Sequence, residues 1–383
     1  MFEKSTNVAP DDGHWRLVTT ESGFHDLRQD WEDLFVQNPM HSPFLAWGWV
    51  AAWLKHLAGP HELSILVWQD EHGVAQLIVP LIIRGRTRKF GGRTVMLACG
   101  YGREASDYLG CLRLPKHDSR IGELTAYGIT KLVDNTLPIS LTELDGRVEY
   151  ENELREKMSG LGRLTRSETQ NVCVAVNLPG TWDEYLQGLS SNFRSQVRRR
   201  CRKTENEESL AFRSVTAAES REFTENLIQL NRQRMAIKGK RSSFEDDNIR
   251  EFLLESVPYM AANNIAWMDV LEKDGETVAA ALNFVHGKSA FFYIGGIDPL
   301  AEKWGPGTAL FAHIIMRCIG QNYLVYDFLR GKEDYKYKWG GTDVPMHKLD
   351  IYGAGLFRGQ VVRTFDNAFL RLKRVARRLV RRV

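Results

Sequence analysis

The residues best suited to chemistry lie late in the chain. Residues 303–310 read KWGPGTAL and run into an apolar stretch, FAHIIMRCIG. A glycine-bearing turn between a strand and a helix presents backbone N–H groups to a phosphate, and the positive end of the helix dipole assists. Gly305 and Gly307 lack side chains, so a pyrophosphate can approach the backbone closely. Pro306 stiffens the turn but offers no N–H, and Trp304 and Thr308 flank it. The same glycines also fit a role in turning the chain and nothing more. Downstream, VYDFLRGKEDYKYKWGG reads as a buried strand carrying Asp327, followed by Arg330, Lys332, Glu333, Asp334, Tyr335, Lys336 and Lys338, with Trp339 behind them. A charged loop at the end of a buried strand is a common place for site residues. Its alternative is a solvated loop with surface ion pairs.

The elements that must hold these residues are legible in outline. Phe24 to Phe35 reads as a short helix, and FLAWGWVAAWLKHL as an aromatic-rich one. ELSILVWQ and VAQLIVPLII around Asp70-Glu71-His72-Gly73 give a hairpin signal. A basic turn (84–93), the apolar TVMLACG, a helix within 119–135 and the buried strand ISLTEL follow. Thr181 with Glu184 predicts a capping box opening TWDEYLQGL. Ser190 or Ser191 then caps a basic helix, NFRSQVRRRCRKTE. Arg194, Arg198 and Arg202 recur on one face of it, where they either grip phosphate or form a solvated face. Helices over about 217–237 and 245–263 precede IAWMDVLE, a turn at Lys273-Asp274-Gly275-Glu276, TVAAALNFVHG and SAFFYIGGI. This order echoes residues 44–83 and predicts a tandem duplication of one α/β unit.

Composition bounds the class. The chain has 383 residues, 43% hydrophobic and 26% charged, with net charge +3, as expected of a globular chain of two or three domains. No run reaches the roughly 18 apolar residues of a membrane span, and residues 1–15 are polar, frayed and lack a signal-peptide core. Cys99, Cys111, Cys173, Cys201 and Cys318 form no CxxC pair. Neither zinc nor a disulfide framework is expected, and a reducing cytoplasm fits best. The histidines show no metal-binding spacing, so no metal is expected; His313 reads as packed.

Charge is uneven along the chain. The last 13 residues, RLKRVARRLVRRV, carry seven basic groups; without them 44 basic groups face 48 acidic ones, a net −4. Phe365, Phe369, Leu372, Ala376, Leu379 and Val383 recur on one helix face, with Arg371, Arg374, Arg378 and Arg382 off it. Such a helix lies on an anionic membrane surface or against RNA, or docks on its own domain.

Taken in order, these motifs resemble the GNAT acyltransferase fold in its FemAB-like branch, and in particular the CelD/BcsL-like acetyltransferases associated with cellulose and exopolysaccharide systems. The resemblance spans about 40–350. SPFLAWGWVAAW and ASDYLGCL carry it in the first half, and LSSNFRSQVRRRCRK in the middle. Gly305-Pro306-Gly307-Thr308, Asp327-Phe328, Arg330-Gly331 and Tyr335-Lys336 carry it in the second half. It implies an α/β (α+β) fold of tandem GNAT-like units, each a mixed, largely antiparallel sheet flanked by helices, packed side by side with a cleft between them. The units would span 1–180 and 181–363, with the basic amphipathic helix over 364–383. It also implies an acyl-CoA donor on the second unit and an amine or sugar-hydroxyl acceptor, a small molecule or glycan. Peripheral contact with a membrane or synthase would run through the tail. One position departs from the GNAT donor loop: Glu302 stands where Gln or Arg is usual, and a carboxylate near a pyrophosphate is unfavourable unless it points away. Fem-type enzymes of this architecture take an aminoacyl group from tRNA instead, the one route by which nucleic acid would enter. A non-catalytic scaffold of a membrane-bound synthase is the remaining alternative.

Acyl transfer from a thioester needs a neutral nucleophile, a route for its proton and donors to the developing oxyanion. With no G-x-S-x-G elbow and no Cys–His pairing, direct transfer is preferred. On this reading Trp304, Gly305, Pro306, Gly307 and Thr308 bind the donor, and Arg330 and Lys336 meet negative charge in the cleft. Lys336 alternatively stabilises the oxyanion. Asp327 orients Arg330 or accepts a proton, and Tyr335 protonates the leaving thiolate. Asp107, Tyr108, Arg194, Arg198, Lys338 and Trp339 are candidate substrate-binding groups. Asp327 pairing with Arg330 only to hold a strand end, and Tyr108 and Trp339 as core aromatics, are the structural alternatives.

Overall fold

The computed structural model of the chain describes residues 13–38, 40, 42–85, 92–100, 106–237 and 239–352. The basic helix expected over 364–383, almost all of the frayed start and most of the basic turn after Arg84 lie outside the described residues. In the first half the strands are β1 (Gly13–Val18), β2 (His61–Leu63), β3 (Ile65–Asp70), β4 (Ala75–Val79), β5 (Leu81–Arg84), β6 (Thr94–Leu97), β7 (Leu112–Arg113), β8 (Ile139–Asp145) and β9 (Leu164–Asn177). Its helices are α1 (Glu21–Asp26), α2 (Arg28–Gln37), α3 (Trp47–His56), α4 (Ile121–Leu132) and α5 (Tyr150–Gly160). The second half adds β10 (Leu210–Val215), β11 (Ala266–Lys273), β12 (Glu276–His286), β13 (Ser289–Ile297), β14 (Val325–Arg330) and β15 (Thr342–Tyr352). Its helices are α6 (Trp182–Gly188), α7 (Ser191–Asn206), α8 (Ser220–Ile237), α9 (Asp247–Ala262), α10 (Pro306–Gly320) and α11 (Asp334–Lys338).

Local chemistry accounts for the connections. In the β3–β4 hairpin the Asp70 carboxylate accepts from the N–H of His72 and Val74, and Gly73 takes the left-handed conformation. Asp274 and Gly275, both at positive φ, turn β11 into β12, as a two-residue hairpin requires. The Thr181–Glu184 capping box forms on α6. Pro80, which cannot donate to a ladder, separates β4 from β5, and the two strands join different sheets.

One sheet runs through both halves in the order β10-β11-β12-β13-β14-β9-β15-β8-β6-β5-β2, and a four-stranded sheet, β1-β3-β4-β7, lies apart from it. Each half contributes one parallel crossover, β6–α4–β8 and β13–α10–β14, within otherwise antiparallel pairing. The mixed, largely antiparallel α/β architecture is the one expected, and among the described residues the two halves share one continuous sheet. β15 lies between β8 and β9, and β9 bonds to β14. Helix α3 packs on α9 so closely that a side chain on Gly48 would strike the Tyr259 ring. Trp49 stands edge-on to Phe252 and Phe284 of the second half. The junction is core.

Candidate active site

β13 and β14 pair in parallel only from Ser289 to Phe291, against Val325 to Asp327. Beyond that they part, and a register shift opposite Leu282 and Asn283 leaves an extra residue, Tyr293, on β13. A bulge of this kind turns a strand out of its ladder. Along this part of β13 lies a cavity of about 610 Å³. One wall is residues 292–297 of β13, with Ala279, Ala280 and Ala281 of β12 beneath. The other carries Phe311, Tyr335, Lys338 and Trp339. Gly305, Pro306, Gly307 and Thr308 close the end, where α10 begins. Gly305 is left-handed (φ 74°) and Pro306 takes the first helical position, so the turn aims the helix N-terminus at the cavity. A side chain at Gly307 would come within 2.7 Å of Ile297.

The expected site residues fall into three groups. The glycine turn, Tyr335, Lys338 and Trp339 meet at the cavity. Tyr335 stacks on Phe311, and burial raises its hydroxyl well above the usual value. Trp339 is buried edge-on to Phe193, and its carbonyl accepts from Tyr185. Trp304 does not line the cavity; its ring carries the Lys203 ammonium on its face, 4.9 Å from the centroid. Arg198 is exposed on α7 and Arg194 half-buried; Arg194 donates to the Gln187 carbonyl, and neither lines the cavity.

The third group forms a buried network joining the halves, and here the geometry corrects the expected roles. Asp107, wholly buried, accepts from the Arg330 guanidinium at 2.7 Å, and Arg330 also donates to the Ser106 carbonyl. Tyr108 donates to Asp327 at 2.5 Å, and the other Asp327 oxygen accepts from the Leu329 N–H. Asp107 and Tyr108 therefore hold the second half rather than face an acceptor. Asp327 does not orient Arg330; Asp107 does. Lys336 is buried and donates to the carbonyls of Leu329, Arg330 and Gly331, with Glu333 2.9 Å away. An ammonium has three protons, so Lys336 ties down the strand end and has none left for an oxyanion. Burial pushes Asp327 up to about 7, and Glu143, close to Arg330 and held by Asn171, likewise to about 7. Cys99, Tyr108, Glu143 and Leu329 all have positive φ near this junction, the kind of backbone strain that only an over-determined surrounding sustains.

Two arginines were not foreseen. Arg200 on α7 lies beside the turn, its Nε 3.2 Å from where a Gly305 side chain would begin. Arg234 on α8 lines the cavity and meets the Glu302 carboxylate at 3.2 Å. Glu302 is thus paired rather than bare at the glycine turn. A signal for Arg200 existed: it lies seven residues after Phe193 and three after Val197, the two buried residues of α7, so it falls on the inward stripe. His313 is packed as expected, stacked on Phe212. Four of the cysteines are buried and Cys201 half-buried; burial raises each of the five thiols, so none is a ready thiolate.

Residues 191–337 match the family described as an acetyltransferase (GNAT) domain. That match holds α7, the glycine turn and Tyr335. Among solved structures the chain is similar in fold to FemX (TM-score 0.59, 10% identity, 88% of this chain and 96% of that one). It is also similar to a conserved protein of unknown function from Bacteroides thetaiotaomicron VPI-5482 (TM-score 0.58, 7% identity, 88% and 100%). A third is the C-terminal domain of a putative lysylphosphatidylglycerol synthetase from Agrobacterium fabrum (TM-score 0.54, 13% identity, 91% and 95%). No curated protein matches the chain in sequence. The chain thus has a GNAT-like fold, and its residues 191–337 match the acetyltransferase (GNAT) domain family. Among the described residues no helix is long and apolar enough to cross a membrane.

Proposed function

We propose that the protein transfers an acyl group from an acyl-CoA thioester directly to an amine or sugar hydroxyl. The observation that carries this reading is the cavity along β13 where it has parted from β14, closed at one end by the glycine turn and the N-terminus of α10. The phosphates of the donor would lie at the turn and its thioester arm along the apolar walls. Tyr335, on the opposite wall, is the group available to protonate the leaving thiolate. The raised thiols favour direct attack by the acceptor over an acyl-enzyme. The resemblance to CelD/BcsL-like proteins supports an acceptor from exopolysaccharide, cellulose or envelope synthesis. The scattered cysteines support a cytoplasmic setting, and the basic amphipathic pattern of residues 364–383 supports contact of that tail with the inner membrane face.

A second reading, an aminoacyl-tRNA donor, draws on α7. Arg198, Arg199 and Arg202 are exposed there, and the fold is similar to that of FemX. Calorimetric titration with acetyl-CoA and longer acyl-CoAs separates the two. Saturable binding, followed by thiol release when amines or amino sugars are added, is the expected result. Failure to bind any CoA, with charged tRNA bound and lost steeply as salt rises, would replace it with the second reading.

A further inference from the structure

The glycine turn lacks a cation of the right kind at position 302, and two others approach from outside it. Arg200 reaches the outer edge of the turn from α7, and Arg234 reaches the cavity from α8. Each has its Nε buried, and among the described residues neither Nε has a hydrogen-bond partner. A buried N–H left without an acceptor costs on the order of 1–3 kcal/mol, which an anion bound there would recover. No acid pairs with Arg200 among the ion pairs of the described residues, and Arg199 beside it adds positive charge. The two carboxylates lining the cavity are each met by a cation: Glu302 by Arg234, and Glu333 by Lys336. At this end of the cavity stand the helix N-terminus and Arg234, with Arg200 outside the cavity lining but beside Gly305, a set suited to an anion with several oxygens.

We propose that Arg200 and Arg234 grip the diphosphate of the donor at the Gly305 turn, supplying from two neighbouring helices the cation that the turn lacks. This rests on the donor reading above, but it can fail separately. Arg234 would then be held by Glu302 when the site is empty and shared with phosphate oxygens when it is filled. Arg200 would close the turn from its far side.

The test titrates CoA, pantetheine and inorganic pyrophosphate against the wild type, Arg200→Gln and Arg234→Gln, with melting curves to confirm that each variant is folded. Each substitution is expected to weaken CoA about tenfold or more, as loss of a charged hydrogen bond does. Pantetheine, which has no phosphate, should change less than about twofold. Unchanged CoA affinity in both folded variants would overturn the proposal. So would an equal loss for CoA and pantetheine, since that reports a distorted pocket. If the wild type binds no CoA, the donor reading fails. Pyrophosphate then decides the clamp: binding that depends on both arginines upholds an anion site, and binding that ignores them ends it.

Discussion

In the first half, β6, α4 and β8 form a parallel crossover; in the second, β13, α10 and β14 repeat it. The match extends to backbone detail. Ile139 pairs with β6 as Val325 pairs with β13, and four residues further on Glu143 and Leu329 have φ of 57° and 56°. The two differ in what fills the space where the strands part. In the first half Leu109 inserts there, bridged to Leu144 and bonded to the Glu143 carbonyl. The N-terminus of α4 is occupied as well: Glu153 accepts from the Gly122 N–H at 3.0 Å. In the second half a cavity lies along β13, and the N-terminus of α10 faces it, with Arg234 in its lining and Arg200 beside Gly305. A carboxylate of the protein's own satisfies the helix end in one half, and the other leaves it open for an anion. The insert that plugs the first site also carries Asp107 and Tyr108, which anchor the second half.

The glycines at the two helix starts offer the sharpest test of this contrast. Gly307→Leu should abolish CoA binding, since even the first added carbon meets Ile297. Gly122→Ala drives a methyl to within 2.5 Å of the Leu154 N atom. It should cost stability, about 1–3 kcal/mol, and leave CoA affinity unchanged in calorimetry. The reverse pattern would put the donor in the first half.

Further effects on stability follow from the junction. Asp107→Ala removes the buried carboxylate that Arg330 holds and should cost about 3–5 kcal/mol in denaturant unfolding. Lys336→Ala strands three carbonyls; a loss of about 1–3 kcal/mol is expected, with any fall in turnover tracking the unfolded fraction. Turnover lost at full stability would restore Lys336 to the chemistry.

The junction also predicts a pH dependence. Asp327 and Glu143 are raised to about 7 in the folded state. Between about pH 4 and 7 the folded protein therefore holds protons that the unfolded chain has released. Their contribution falls as pH rises through that window and levels off above it. Glu143→Gln keeps the shape without the charge, beside Asp107, Arg330 and Asn171. It should flatten part of the slope and stabilise at pH 8 by on the order of 1 kcal/mol. An unaltered slope would contradict the burial argument. The smallest effect is at α4: Glu153→Gln should lower the melting temperature slightly, by about 0.5–1 kcal/mol of helix-end stabilisation.

Much of this contrast was legible beforehand. The hairpins, the capping box, the glycine turn and the repeated order of elements are local patterns, fixed by residues close in sequence. β9, α5, β10 and β15 were not foreseen. β9 begins LTRSETQ, polar on both faces, and becomes a strand only because β15 and β14 bond to it from residues far away. The same limit applies at the site. Asp327, Arg330 and Lys336 look catalytic as charged residues at a strand end, but Asp327 and Arg330 are buried against a segment more than 200 residues distant, and Lys336 turns in onto the carbonyls of Leu329, Arg330 and Gly331. Arg200 was passed over because a four-residue spacing of arginines marks the outward face of α7, whereas Phe193 and Val197 mark the inward one.

The most direct measurement is a crystal structure of the protein soaked with CoA. The account predicts ordered phosphates at Gly305 and Gly307, between Arg200 and Arg234, with the pantetheine arm running between β13 and β14. CoA ordered beside β6 and β8, or in the surface groove that Thr169–Val172 of β9 form with Arg330, Gly331 and Lys332, would contradict it.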